Sequence, residues 1–419
     1  MSLQPVRGMK DLLPPESLRW AALEAAFRSC AADHGFSEIR TPVLEKTELF
    51  SRGVGESTDI VEKEMYTFPD RSGDSLTLRP EGTAAVVRAV LSGRAEIGEW
   101  PARLFYIGPM FRHERPQKGR LRQFHQLGAE LFGTDAPLAD AEVIAFLYRF
   151  LKGVGLDDVS LQINTLGDPA CRPAYNRALT DFLAERDEAL CDDCRRRRLT
   201  NPLRVLDCKS ERCIAATIDA PSILDMLCAD CLSHFETVEA ALRSLDVPFA
   251  RNPRMVRGLD YYRRTTFEFV IPGMGAQNTV AAGGRYDGLA EMLGSKERIP
   301  AIGFAIGIER LMMLVPDEAV PVRADAFFVT SSPRHLPEAF AWRMRLAEIG
   351  VRAEMDYESR SMKSQFRRAD RSGASVVVVF GDAEWERGTV GYRDMGAGQQ
   401  EELPVDEARR RLERLSKGG

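Results

Sequence analysis

Apolar positions along the chain follow two rhythms. After Ser17, residues Trp20, Leu23, Phe27 and Cys30 recur at three- and four-residue spacing, which predicts an amphipathic helix with Gly35 placed to end it. Beyond a short extended piece ending at Thr41-Pro42 the rhythm shortens. Residues 64–68, 75–78, 103–111 and 122–132 read as strands, and 81–92 and 138–153 as helices. Strands joined by short turns point to a mainly antiparallel sheet with helices set against it.

The pattern changes between 167 and 235. This stretch holds seven of the eight cysteines and little period-two alternation, and it reads as a mainly helical insertion. Strands resume at 265–271 and 279–282, followed by a helix over 307–314. Pro316 and Pro321 bracket a polar linker. Strands at 326–330, 351–355 and 376–380 then alternate with helices at 337–349 and 362–372, which predicts a small, partly parallel α/β domain. The expected division is 1–322, interrupted by 167–235, and 323–419.

Composition narrows the function. Apolar residues at 44% and charged residues at 28% describe a globular chain, and the net charge of 57 − 62 = −5 excludes a general polycation. Any nucleic-acid contact must come from a local basic patch. The N-terminus MSLQPVRGMKDLLPPES has no apolar core of a secretory signal, and the best apolar run, 299–315, is broken by Glu309 and Arg310. The expectation is a cytoplasmic protein with no membrane contact. Its cysteines are then thiols or metal ligands rather than disulfides. Cys191-x-x-Cys194 and Cys228-x-x-Cys231 have the spacing of a tetrahedral structural Zn²⁺ site, with Cys208 and Cys213 between them. The gap is longer than in a compact zinc ribbon, so free thiols stand as the other reading.

Chemistry concentrates in four segments. Between Arg112 and Arg122 lie five Lys/Arg and one Glu, on a strand, a loop around Pro116–Gly119 and a returning strand. Cations held this way suit a polyphosphate or nucleic-acid backbone, and a solvated basic hairpin is the bland alternative. Arg257-Gly258-Leu259-Asp260-Tyr261-Tyr262 pairs two tyrosines behind an arginine. In Ala282-Gly283-Gly284-Arg285-Tyr286-Asp287-Gly288 the glycines allow positive φ or close approach of backbone to a ligand. In 303–311 an apolar strand runs into a helix carrying Arg310, where the helix dipole already favours anions.

In this order the segments resemble the class II aminoacyl-tRNA synthetases and, among them, the histidyl-tRNA synthetase family. Thr77-Leu78-Arg79-Pro80-Glu81-Gly82-Thr83 looks like that family's amino-acid-binding segment and 111–130 like its motif 2. Residues 257–262 and 282–289 look like its two histidine motifs, and 303–311 like motif 3. Asn278 departs from the pattern, where a glycine is expected. The resemblance runs from about residue 5 to the C-terminus and implies a catalytic domain with a mainly antiparallel sheet flanked by helices, the helical insertion, and a C-terminal α/β anticodon-binding domain.

It also implies the reaction. L-histidine and ATP would form histidyl-adenylate and pyrophosphate, with Mg²⁺ on the latter, and the 3′ end of tRNA(His) would then take the histidyl group, in a homodimer. Arg257 and Arg112 are the implied catalytic residues, with Arg112, Arg120 and Arg310 on ATP. Glu130, Tyr262 and Tyr261 would recognise the imidazole, and Glu81, Thr83 and Gln126 the α-ammonium. Arg115, Gln117 and Lys118 would meet the acceptor end of tRNA. The 16 basic and 16 acidic residues from Ala324 to Gly419 give the anticodon assignment no support from charge. Two alternatives compete. One is a non-catalytic paralogue, the histidine-sensing regulatory subunit of ATP phosphoribosyltransferase. The other is a plain RNA-binding protein, which leaves the carboxylate, the paired tyrosines and the separate arginine motifs unexplained.

Overall fold

Two ten-residue runs, Ala102–Phe111 and Gln123–Phe132, pair antiparallel along their whole length and form the spine of the larger sheet in this computed structural model. The structure describes residues 3–55, 58–117, 119–256, 261–271, 278–317 and 324–417. The chain divides into two compact units, Met1–Val320 and Pro321–Gly419.

The first unit runs in chain order through β1 (Ser37–Glu38), β2 (Leu44–Lys46), β3 (Tyr66–Pro69), β4 (Ser75–Leu78), β5 (Ala102–Phe111) and β6 (Gln123–Phe132). It continues through β7 (Ser160–Thr165), β8 (Phe249–Arg251), β9 (Thr265–Val270), β10 (Thr279–Arg285) and β11 (Ala301–Gly307). Eight of these form one sheet, β1-β5-β6-β11-β10-β9-β7-β8, and β2-β4-β3 form a small one. In the large sheet β1/β5 and β7/β8 are parallel and the other neighbours antiparallel.

Because side chains alternate along a strand, this sheet has two different faces. Leu127, Ala129 and Leu131 of β6, Phe304 and Ile306 of β11, and Phe267 and Phe269 of β9 share one core with the helices Glu16–Asp33 and Pro137–Gly153. Phe27 sits at its centre against the rings of Phe105, Phe146, Phe150 and Phe304. Truncating such a ring to alanine costs about 3–5 kcal/mol. The opposite face joins a second core through Leu104 and Tyr106 of β5, while β6, β11 and β10 place small residues and one acid opposite them: Tyr106↔Gly128↔Ala305 and Leu104↔Glu130↔Gly303↔Gly284. A floor of glycine and alanine leaves room above it for functional side chains.

Between β7 and β8 the chain passes through the helices Arg172–Ala184, Asp192–Thr200, Glu211–Ala216 and Ala229–Ser244. The predicted insertion boundary at 235 falls inside the last helix, because Phe235, Val238 and Leu242 form a stripe that joins the main core.

Other boundaries move for local reasons. The run predicted as a strand over 64–68 begins at Tyr66, after a helical turn at Ile60–Glu64. The strand predicted over 279–282 extends to Arg285, and the helix predicted over 307–314 spans Ile308–Met312. β7 and β8 are not among the predicted strands; β8 is three residues long and mostly exposed, too short for a period to register.

The second unit contains β12 (Ala326–Thr330), β13 (Ala353–Met355), β14 (Val376–Phe380), β15 (Thr389–Asp394) and β16 (Gln400–Pro404), ordered β13-β12-β14-β15-β16. β12 runs parallel to β13 and β14, and β15 and β16 return antiparallel. Phe328, Val376, Val378 and Phe380 pack with Trp342 and Leu346 on one face, and Phe327, Val329, Val377 and Val379 with Ala369 on the other. Burial on both faces explains the unbroken apolar runs. β15 and β16 are not predicted from sequence, and β16 exposes Gln400, Glu401 and Glu402. Among the described residues no helix is long and apolar enough to cross a membrane.

Candidate active site

Glu130 lies on the small-residue face of β6 and is fully buried. The Tyr286 hydroxyl donates to its Oε2 at 2.6 Å and Thr83 Oγ1 to its Oε1 at 2.8 Å. A methyl group at Gly303, its register partner on β11, would overlap the carboxylate, so that position admits only glycine. Burial pushes the Glu130 carboxyl up to about 8; the two hydroxyl donors pull it back, and the charge of Glu81 adds to the rise.

Tyrosines surround it. Tyr261 and Tyr262 are buried with ring centroids 4.7 Å apart, and Tyr261 meets Tyr286 edge-on at 5.7 Å. Tyr106 lies across Gly82 and Gly128, at either of which a methyl group would strike its ring. Burial holds the Tyr106, Tyr261 and Tyr286 phenols well above their ordinary value, so they remain protonated donors.

Glu81 stands at the entrance to the helix Thr83–Ser92, where its carboxylate accepts the backbone N–H groups of Thr83 at 2.7 Å and Ala84 at 2.8 Å. This is helix capping from outside the first turn, and it fixes the loop that carries Thr83. Burial raises the Glu81 carboxyl, offset in part by those N–H donors and by the charge of Arg112. Gln126, two positions along the same face from Gly128, is buried, and its Oε1 has no hydrogen-bond partner among the described residues. Arg79 of the same segment is structural: it donates to the carbonyls of Pro109 at 2.9 Å and Thr41 at 2.9 Å.

A cationic edge adjoins this pocket. Arg112 Nε donates to the Pro80 carbonyl at 2.8 Å, and its guanidinium lies over the Phe124 ring at 5.2 Å. Arg120 pairs with Glu114 at 3.2 Å, and Gly119 at φ +75° helps close the bridge between Gln117 and Arg120. Arg310 is half-buried; burial first, and then the charge of Arg120, lower its pKa. Two guanidinium groups near enough for the charge of one to lower the pKa of the other are an arrangement that can receive a polyanion. Arg115 and Gln117 are exposed on the same loop. Arg257 and Lys118 lie outside the described residues. A cavity of about 560 Å³ lined by Trp20, His125 and Glu309 sits on the opposite face of β6 from Glu130 and reaches the same loop at Gln117 and Gly119.

The glycine-rich segment corrects one expectation. Gly283 and Gly284 lie within β10, not in a turn, and neither has positive φ. They are small because a methyl at Gly283 would strike the Gly303 carbonyl, and one at Gly284 would lie 2.9 Å from the Tyr262 ring. Arg285, fully buried, donates to Asp140 at 2.5 Å, Asp287 at 2.8 Å and the Thr134 carbonyl at 3.0 Å. Asp140 also meets His234 at 2.8 Å. Tyr286, next in sequence, belongs instead to the Glu130 pocket. Sequence reasoning quoted it within its motif and gave it no role; the signal was its place one residue after a strand, which turns it to the other side.

The cysteines correct another. Cys191, Cys194, Cys228 and Cys231 do not form one tetrahedral set. Cys191 and Cys194 gather with Cys208 and Cys213, while Cys228 and Cys231 gather with Cys171 and Asp168. The fold joins each CxxC pair to residues from a different stretch of chain, which spacing alone does not reveal.

Comparison with known proteins agrees with the geometry. The histidyl-tRNA synthetase family model matches residues 8–311, and an anticodon binding domain model matches 325–415. The chain is 51% identical over 408 residues to the histidine–tRNA ligase of Trichlorobacter lovleyi, covering 97% of each chain. It is 49% identical to that of Maridesulfovibrio salexigens, covering 97% of this chain and 98% of the relative. The crystal structure of apo histidyl-tRNA synthetase from S. aureus superposes with a TM-score of 0.78 at 35% identity, covering 98% of this chain and all of that one. An ATP phosphoribosyltransferase regulatory subunit/histidyl-tRNA synthetase from Bacillus halodurans C shares the fold at a TM-score of 0.62 and 22% identity, over 85% of this chain and 93% of that one.

Proposed function

The chain belongs to the histidyl-tRNA synthetase family, and from that premise we propose how its residues divide the work of joining L-histidine to tRNA. It is a ligase that activates histidine with ATP and transfers the histidyl group to tRNA.

One observation carries the division. A buried carboxyl, Glu130, has neutral hydroxyl partners among the described residues, and the same strand face carries Gln126, whose Oε1 has no partner among them, toward a cationic edge. Glu130 accepts from one imidazole nitrogen, and a positive charge arriving there favours its ionised form. Tyr262 contacts the other nitrogen and Tyr261 lines the site. Thr83, Gln126 and Glu81 hold the α-ammonium, Glu81 with the lone pairs its two backbone donors leave free. A pocket built to pair both ring nitrogens leaves polar groups unsatisfied around any wrong side chain, and selects strongly by that cost.

Arg112 holds the α-phosphate, and Arg310 with Arg120 the terminal phosphate. Arg257 bridges the attacking carboxylate and the α-phosphate. Mg²⁺, carried in with ATP, would offset the negative charge of the leaving pyrophosphate. Negative charge grows on phosphate oxygens during the reaction, so fixed guanidinium groups aimed there lower the barrier without reorganising. Arg115, Gln117 and Lys118 meet the acceptor end of tRNA(His). The second unit reads the anticodon, and two copies of the chain form a homodimer.

Amino-acid-dependent ATP–pyrophosphate exchange, run with each of the twenty amino acids, tests the reading. Histidine alone should drive rapid exchange. Absence of exchange with histidine, in a folded protein that still binds it, would return the chain to the sensor reading.

A further inference from the structure

Three helices between β7 and β9 begin on a cysteine that does not cap. Cys171, Cys191 and Cys228 occupy the N-cap positions of Arg172–Ala184, Asp192–Thr200 and Ala229–Ser244, and none makes a side-chain capping bond. Serine, threonine, asparagine or aspartate would stabilise each helix better there. What these positions share is aim: each thiol points into one of two four-residue groups, Cys191/Cys194/Cys208/Cys213 and Asp168/Cys171/Cys228/Cys231, whose ligand atoms all lie within 4.8 Å of one another.

The spacing fits a tetrahedral metal ion and not a disulfide. All eight cysteines are free thiols. The Cys191 and Cys208 sulfurs are 3.9 Å apart and those of Cys171 and Cys231 3.8 Å, nearly twice a disulfide bond. Four sulfurs at the usual zinc–sulfur distance of about 2.3 Å stand about 3.8 Å apart at the corners of a tetrahedron. Cys194 and Cys213 are fully buried, and the Cys191 backbone N–H donates to Cys213 Sγ at 3.2 Å, the outer hydrogen bond that steadies a thiolate ligand.

We propose that this helical region is assembled on two structural Zn²⁺ ions, one held by Cys191, Cys194, Cys208 and Cys213 and the other by Cys171, Cys228, Cys231 and Asp168. The region consists largely of short helices, which gain stability from a staple. The four-sulfur site joins the start of Asp192–Thr200 to the helix Glu211–Ala216 and the loop before it. The second site lies closer to the chemistry. Asp168 Oδ1 already accepts the Ala170 N–H at 2.9 Å, and Oδ2 lies 3.6 Å from Arg264. Next to Cys171, Arg172 donates to the Tyr262 carbonyl at 2.8 Å. An ion at that corner therefore fixes the backbone that presents a pocket tyrosine.

Elemental analysis of the full chain purified without chelator should find two zinc ions per chain. Cys208→Ser with Cys213→Ser should remove one of them, and Cys228→Ser with Cys231→Ser the other. The second pair alone should raise the KM for histidine in pyrophosphate exchange. If the variants do not fold, titrating the thiols of the unmodified protein with an organomercurial, while a metal-sensitive dye counts released zinc, gives the same stoichiometry. One zinc, lost with Cys208 and Cys213 and retained without Cys228 and Cys231, overturns the mixed site and leaves the four-sulfur site. A folded, zinc-free chain with reactive thiols overturns both.

Discussion

Two buried clusters a few residues apart in sequence treat charge in opposite ways. At Arg285 the carboxylates of Asp140 and Asp287 are buried with a guanidinium between them. Burial alone would push the Asp140 carboxyl up, but the Arg285 charge and the bonds from His234 and Arg285 outweigh it and hold it below its ordinary range. At Glu130 burial is opposed, among the described residues, by neutral hydroxyl donors and reinforced by the charge of Glu81, and the carboxyl rises to about 8. The first cluster is complete and fastens the helix Pro137–Gly153 to the end of β10. Among the described residues the second has no cation on its carboxyl. In the proposed function that open position is where the charge of the ligand enters, whereas the paired cluster is scaffold.

The largest effect expected from this contrast is on stability. Arg285→Met leaves two buried carboxylates without their shared cation and should cost about 3–5 kcal/mol, read as a shift in denaturant midpoint. A folded variant with an unchanged midpoint would dissolve the contrast. Glu130→Gln should do the reverse, sparing stability at pH 6 while lowering kcat/KM for histidine roughly ten- to hundredfold, from about 1.5–3 kcal/mol of lost charged hydrogen bonding. An unchanged kcat/KM for histidine would mean that Glu130 has no part in recognising it.

Acidity sharpens the contrast next. Between pH 4.5 and about 8 the folded chain keeps the Glu130 proton that the unfolded chain has lost. Stability without ligand should therefore fall as pH rises through that window, by at most about 1.4 kcal/mol per unit from this group. Glu81, also raised by burial, contributes in the same direction. The difference between the parent and Glu130→Gln across a pH series of denaturation curves isolates the Glu130 part, and parallel curves would refute it. The smallest effect belongs to Tyr286→Phe, which removes one donor to Glu130. It should lower histidine kcat/KM by about two- to tenfold, from roughly 0.5–1.5 kcal/mol. No change in exchange kinetics would make the Tyr286 hydroxyl a packing feature only.

Local chemistry made much of this legible from sequence. The helix Glu16–Asp33, the β5/β6 hairpin and the alternating second unit announce themselves because hydrophobic period and turn residues are local properties. Glu130, Thr83 and the tyrosines stand in segments whose residue types match a known family. What the pattern did not disclose was short or shared: β8, three residues with little burial, and the helix Ala229–Ser244, which leaves the cysteine-rich stretch to enter the main core.

The sequence by itself determined which side chains are available and on which side of a strand each one falls, since alternation along an extended backbone is fixed by covalent geometry. Thus Gln126, Gly128 and Glu130 share a face before any fold is known. Only tertiary structure decided what meets that face. Register set Gly303 beneath Glu130 and brought Tyr286 to it from far along the chain, while Arg285 went to Asp140. Likewise the CxxC spacing shows that two thiols can converge, but which distant thiols complete the set depends on how the helices pack. That choice placed Cys208 and Cys213 beside Cys191 and Cys194, and Cys171 and Asp168 beside Cys228 and Cys231, because partners far apart in sequence are selected by the burial of the whole core and not by the residues between them.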